Sequence, residues 1–217
     1  MSRNMNTRRS LYIICLLLLS AVGNKLDAQT VVKPVRQQND STNHALIHQI
    51  GFDVRPGYVA PTNSFLEGDN AQRQKIDRSL SLHLKYAFQF SKDSYLGRLY
   101  PHAYQGIGVS HNTFYNSAEL GNPVAVYAFQ GAPLVRLSSR LSLDYEWNFG
   151  ASFGWKQYDE HSNWYNDAIG SKINAYINLG FVLNWQFYPQ WKLAAGVDFT
   201  HFSNGNTRYP NGGLNTI

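Results

Sequence analysis

Three stretches of this 217-residue chain alternate apolar and polar residues with a period of two, and nothing else in it restricts the fold so strongly. In the first, Leu80, Leu82, Leu84, Tyr86, Phe88 and Phe90 are interleaved with Ser81, His83, Lys85, Ala87 and Gln89. In the second, Leu141, Leu143, Tyr145, Trp147, Phe149, Ala151 and Phe153 are interleaved with Ser142, Asp144, Glu146, Asn148, Gly150 and Ser152. The third sets Ile173, Ala175, Ile177, Leu179, Phe181, Leu183 and Trp185 against a face containing Asn174, Tyr176, Asn178, Gly180 and Asn184. Successive side chains on a strand point to opposite faces, so each stretch predicts a strand with one apolar face. Three less regular strands are predicted around 48–59, 102–110 and 123–137, and a seventh strand over 191–203. No stretch reads as a long amphipathic helix.

A soluble β-sandwich would also alternate, but it would have to turn Lys85, Asp144 and Glu146 to water from mid-strand. The apolar faces here are long, and their ends are rich in Tyr, Trp and Phe. Aromatic residues make up 14% of the chain and charged residues only 15%, a balance that suits a barrel in lipid better than a soluble enzyme. Such a barrel gives its apolar side to lipid and encloses the charges in a polar interior. The predicted connections agree. Those after the first, third, fifth and seventh strands are long (60–77, 111–122, 156–170 and 204 onward). Those after the second, fourth and sixth are shorter, with Ser138-Ser139 and Tyr188-Pro189-Gln190 the tightest. Outer-membrane barrels have short periplasmic turns and long external loops, so odd strands are expected to run outward. The fold class is therefore all-β: an eight-stranded antiparallel outer-membrane β-barrel. Seven strands are predicted in full. An eighth is expected to begin near Leu214 and to be missing or incomplete, as in a chain truncated at its C-terminus.

The first 28 residues read as a signal peptide. Arg3, Arg8 and Arg9 precede an apolar run from Leu11 to Val22 that is short for a membrane anchor, and Leu26-Asp27-Ala28 resembles a cleavage site. The only cysteine, Cys15, lies inside that run, away from the position a lipoprotein signal would give it. Residues 29–43 read as a flexible periplasmic lead, and 44–217 as the barrel, in the bacterial outer membrane after export. The formal charge of +5 is largely a property of the leader, which carries Arg3, Arg8, Arg9 and Lys25 against Asp27. The remainder has no basic block, which argues against nucleic acid as a partner.

Chemistry concentrates at the end of the seventh strand. Trp191, Leu193, Ala195, Val197 and Phe199 share one face, and His201 and Ser203 continue the same parity. A neutral imidazole can take the proton of a nearby hydroxyl and activate it against an ester carbonyl. The amides of Asn204 and Gly205 could then line an oxyanion hole, because Gly205 permits a sharp turn. A plainer reading makes His201 and Ser203 the wet end of a strand. The remaining histidines form no recognisable metal constellation, and no metal or cofactor is expected. His83 has interior parity and reads as a hydrogen-bonded lumen group. Gly106 and Gly108 read as relief of crowding within a strand.

The segment HFSNGNTRYPNGGLN, His201 to Asn215, resembles the C-terminal motif of PagL-type lipid A 3-O-deacylases. The resemblance implies an eight-stranded outer-membrane barrel with a Ser-His-Glu site on its outer wall, acting on lipid A in lipopolysaccharide among outer-membrane lipids. His201 falls at the family's catalytic histidine, Ser203 at its nucleophile and Asn204 at the asparagine that follows. Gly205 falls in the oxyanion-hole turn, and Pro210-Asn211 in the returning loop. Arg208 could meet a lipid A phosphate. One position departs: the family's glutamate falls at Asn215, which can orient the histidine but cannot stabilise its imidazolium form. Glu119 and the pair Asp159-Glu160 are other acids within reach of the external loops; Asp198 has interior parity. The expected activity is a serine esterase that removes an ester-linked acyl chain from lipid A. The alternatives are a non-catalytic structural or small-solute barrel and an esterase acting on phospholipids.

Overall fold

The alternating segments form antiparallel strands in chain order: β1 (Ile47–Tyr58), β2 (Arg78–Gln89), β3 (Tyr104–Thr113), β4 (Gly121–Arg136), β5 (Leu141–Trp155), β6 (Ile173–Tyr188), β7 (Trp191–Ser203) and β8 (Leu214–Thr216). Each pairs with the next in one eight-stranded sheet. This computed structural model describes residues 46–217, so the expected signal peptide and periplasmic lead lie outside the described residues.

The sheet curls until its ends meet beside β8. The Tyr58 N–H donates to the Ile217 carbonyl (2.7 Å), the Ile217 N–H donates back to Tyr58 (2.9 Å), and Val59 bridges to Thr216. Closure by backbone pairing is confined to this end. Below it, β1 and β7 each pair on one side only, and side chains span the interval: Arg55 donates to Asp198 at 3.1 Å and Lys192 to Gln49 at 3.2 Å. The eighth strand thus starts at Leu214, where it was expected, and is three residues long.

The faces divide as the alternation predicts. Outward residues such as Ile50, Phe52, Leu84, Ile107, Val126, Phe149, Leu179, Phe181, Val197 and Phe199 are all exposed. The polar residues His83, Asp144, Glu146, Asn148 and Asn178 are buried. In the lumen, Lys85 reaches both oxygens of Glu146 (2.6 and 2.7 Å), and Arg55 pairs with Asp53 (2.7 Å). Charges taken out of water need such partners, and the apolar wall leaves them no other place. His83 hydrogen-bonds Ser81 (2.9 Å) and Tyr127 (2.8 Å), in keeping with its interior parity. Gly108 leaves the space that the Tyr127 ring occupies. Nearer the β8 end, Phe114, Trp155, Tyr176 and Phe202 stack into an aromatic layer.

Two expectations shift. β3 begins two residues late, because α2 (Tyr95–Leu99) and then a turn over 100–103 precede it, and it extends to Thr113. Ser94 caps α2 by accepting from the Gly97 N–H (3.0 Å). As a result the connection 90–103, expected to be among the shorter ones, is longer than 114–120 at the opposite end. The other helix, α1 (Ser64–Glu67), lies in the first long loop, where Asn63 accepts from the Leu66 N–H.

Candidate active site

β7 ends in His201-Phe202-Ser203, and the three residues alternate across the wall. Phe202 is buried, with ring centroids 5.1 Å from Trp155 and 5.4 Å from Tyr176, so the aromatic layer pins the strand at that point. His201 and Ser203 therefore face outward and are half-buried, continuing the row that contains Val197 and Phe199. On β6, Ile177 lies opposite His201 and Ala175 opposite Ser203, so the polar pair sits against an apolar neighbourhood.

β8 supplies the other side. In its register Asn215 lies directly across from His201, and the imidazole Nδ1 is 2.6 Å from Asn215 Oδ1. A carbonyl oxygen only accepts, so the ring proton sits on Nδ1 and the Nε2 lone pair is left free. Asn215 is itself held from β1's side, where the Ala60 N–H donates to its backbone carbonyl at 2.9 Å. Closure of the ring and the orientation of His201 thus depend on the same three residues of strand. Ser203 makes no hydrogen bond to His201 among the described residues; the pair is associated by position two apart on one face.

The turn after Ser203 is organised by Asn204. Its carboxamide donates to the carbonyls of Arg208 (2.6 Å) and Pro210 (3.3 Å), and its oxygen accepts from the Asn206 N–H (3.0 Å). Gly205 (φ 63°) and Asn206 (φ 63°) both adopt the left-handed conformation that a sharp reversal requires. The backbone N–H groups of Asn204 and Gly205 donate to no carbonyl within this turn. Pro210 is buried, Asn211 contacts the Asn206 carboxamide, and the Arg208 side chain is exposed.

The other acids lie elsewhere. Glu119 is buried among the loops at the β8 end, accepting from the Ala71 N–H (2.9 Å) and the Asn116 amide (2.9 Å). Asp159 accepts from the N–H and hydroxyl of Ser162 and the N–H of His161, which hold its carboxyl below the usual aspartate range. Asp198 points into the lumen toward Arg55. The partner that His201 Nδ1 has is Asn215. Of the other histidines, His48 bonds Tyr86 and His102 accepts from Arg136. No group of three His, Cys, Asp or Glu converges as a metal site among the described residues.

Three further residues shape the geometry of this site. Phe202 anchors from inside, Ala60 acts through its N–H, and Gly213 packs its bare Cα face against the His201 ring. Each acts through a cross-strand neighbour that spacing along the chain does not reveal.

A family model described as Lipid A 3-O-deacylase (PagL) matches residues 81–217. No curated protein and no solved structure matches the chain.

Proposed function

The chain belongs to the lipid A 3-O-deacylase (PagL) family, an outer-membrane family of lipid A hydrolases, and from that premise we propose a serine esterase mechanism on the outer wall of this barrel. The observation that carries the reading is the 2.6 Å contact from His201 Nδ1 to Asn215 Oδ1, which leaves Nε2 as a base beside Ser203.

In this mechanism His201 Nε2 takes the Ser203 hydroxyl proton as Oγ attacks the ester carbonyl of a lipid A acyl chain. The negative charge that develops on the carbonyl oxygen is met by the free N–H groups of Asn204 and Gly205. The sugar oxygen leaves with the proton from His201, and the acyl chain stays on Ser203. A water molecule, deprotonated by His201, then releases a free fatty acid and restores the serine. Substrate reaches the site from the outer leaflet, because Ser203 opens onto the apolar wall and not the lumen. Asn215 orients the ring throughout but supplies no charge to the imidazolium. Arg208, exposed on the adjoining loop, is available to a lipid A phosphate.

The test is mass spectrometry of lipid A from membranes carrying the intact protein or Ser203→Ala. The expected result is loss of one ester-linked acyl chain with the intact protein and an unmodified lipid A with the variant. Equal acyl loss in both would remove Ser203 from the mechanism. Fatty acid release from phospholipid with lipid A unchanged would assign the esterase a different substrate.

A further inference from the structure

Gly213, the residue just before β8, lies beside the same patch of wall as His201, Ser203 and Asn215. Of the four, only Gly213 has no side chain. A Cβ built on Gly213 would stand 3.2 Å from His201 Cε1, 3.7 Å from Ser203 Cβ and 3.0 Å from the Phe202 carbonyl oxygen. The residue is buried, with the edge of the imidazole lying across it.

Resting on the esterase reading above, we propose that Gly213 is a positioning residue: its bare Cα is the surface on which the His201 ring lies while Nδ1 reaches Asn215. Any side chain there lifts Cε1 away by a few tenths of an ångström or more, because the Phe202 carbonyl on the other side is backbone and does not yield. Two further features hold the glycine in place. Its φ of 68° lies in the left-handed region, and its N–H donates to the Ala168 carbonyl at 2.9 Å. Leu214 beside it is fully buried. The ring is thereby confined on one edge by Asn215 and along Cε1 by Gly213, and Nε2, the atom next to Cε1, keeps its direction. Side-chain identity at 215 sets the tautomer; its absence at 213 sets where the ring lies.

The experiment uses the full chain in outer-membrane vesicles, with Gly213→Ala, Gly213→Asn and Ser203→Ala. Asn tolerates positive φ, so it relieves the backbone strain but still brings a Cβ to the ring. Folded barrel is quantified by the mobility shift on heating in denaturing gels, and rates are expressed per folded barrel. Two rates are read: lipid A deacylation, and labelling by a fluorophosphonate. In the labelling reaction Ser203 Oγ bonds to phosphorus, the P–F bond breaks, fluoride leaves and His201 takes the hydroxyl proton. Both glycine variants are expected to lose about tenfold or more in kcat and in labelling rate with KM little changed, since a displacement on this scale misaligns the base. Wild-type rates per folded barrel in Gly213→Asn would overturn the proposal. So would a loss confined to KM, or one matched fully by loss of folded barrel. If instead the wild-type chain neither labels nor deacylates, or Ser203→Ala retains both activities, the esterase reading fails and this inference fails with it.

Discussion

At position 215 a carboxamide and a carboxylate would hold the imidazole equally well, but they differ in what they do for its charge. In the proposed mechanism His201 becomes a cation each time it accepts the serine proton, and Asn215 gives that cation a dipole only. Asn215→Glu adds a full negative charge at the same cross-strand position, opposite His201. The expected outcome is a kcat higher by roughly tenfold to 10³-fold, within the range that a triad carboxylate contributes. Initial rates of lipid A deacylation measure it; a lower rate from a folded Asn215→Glu barrel would sink the assignment of Asn215 as orienter. His201, Ser203 and Asn215 could be singled out from sequence because their side chains are the chemistry and the motif keeps them in order. Gly213 lies inside the same motif, but its proposed part rests on a close approach to the His201 ring, and such an approach is not written in spacing along the chain.

One strand end carries the candidate pair, and what fixes it is packing from the other face. Phe202 sits between His201 and Ser203 in sequence and is buried against Trp155, Tyr176 and Phe114. Phe202→Ala would open a cavity in that layer and is expected to cost about 3–5 kcal/mol of stability, read as a lower denaturant midpoint in detergent. It should also lower kcat in the fraction that remains folded, since the backbone joining the proposed base and nucleophile loses its anchor. An unchanged midpoint would mean that the aromatic layer does not hold β7. At this scale much was legible. β2, β5 and β6 follow from period-two alternation because each has one face in the lumen and one on the wall, and the less regular β1, β4 and β7 fall close to where they were expected. The start of β3 was not. α2 is too short to show helical periodicity, and it rests on a Ser94 cap and on Gly97, where a side chain would strike the Ser91 carbonyl. Those are contacts between turns, invisible to a pattern of apolar residues.

The molecule as a whole is inverted relative to a protein folded in water. Its exposed band is apolar from β1 round to β7, and its ion pairs, Lys85 with Glu146 and Arg55 with Asp53, are enclosed. Sequence carried this inversion plainly, since mid-strand charges and long apolar faces fit no other arrangement of the same strands. It did not carry the way the ring closes, which depends on Tyr58, Ala60 and Ile217 exchanging backbone bonds with whatever strand arrives beside them. The inversion makes a prediction that separates lipid from water as the outer solvent. Leu179 lies mid-strand in β6 between Trp147 and Phe199, points outward and is 56% exposed. In water, Leu179→Arg on such a surface would be close to neutral. In lipid it places a guanidinium near the middle of the apolar band, at a cost of about 2–4 kcal/mol. The matched control is Trp164→Arg, an equally exposed change in the loop 156–172 between β5 and β6, which should leave folding unaltered in either solvent. Refolding both variants into lipid vesicles of graded thickness distinguishes the cases. Leu179→Arg should lose folded yield more steeply as the bilayer thickens, because a thin bilayer lets the charge reach the interface and a thick one does not. Equal yields for the two variants at every thickness would mean that the apolar wall does not face the hydrocarbon, and that Ser203 does not open onto it.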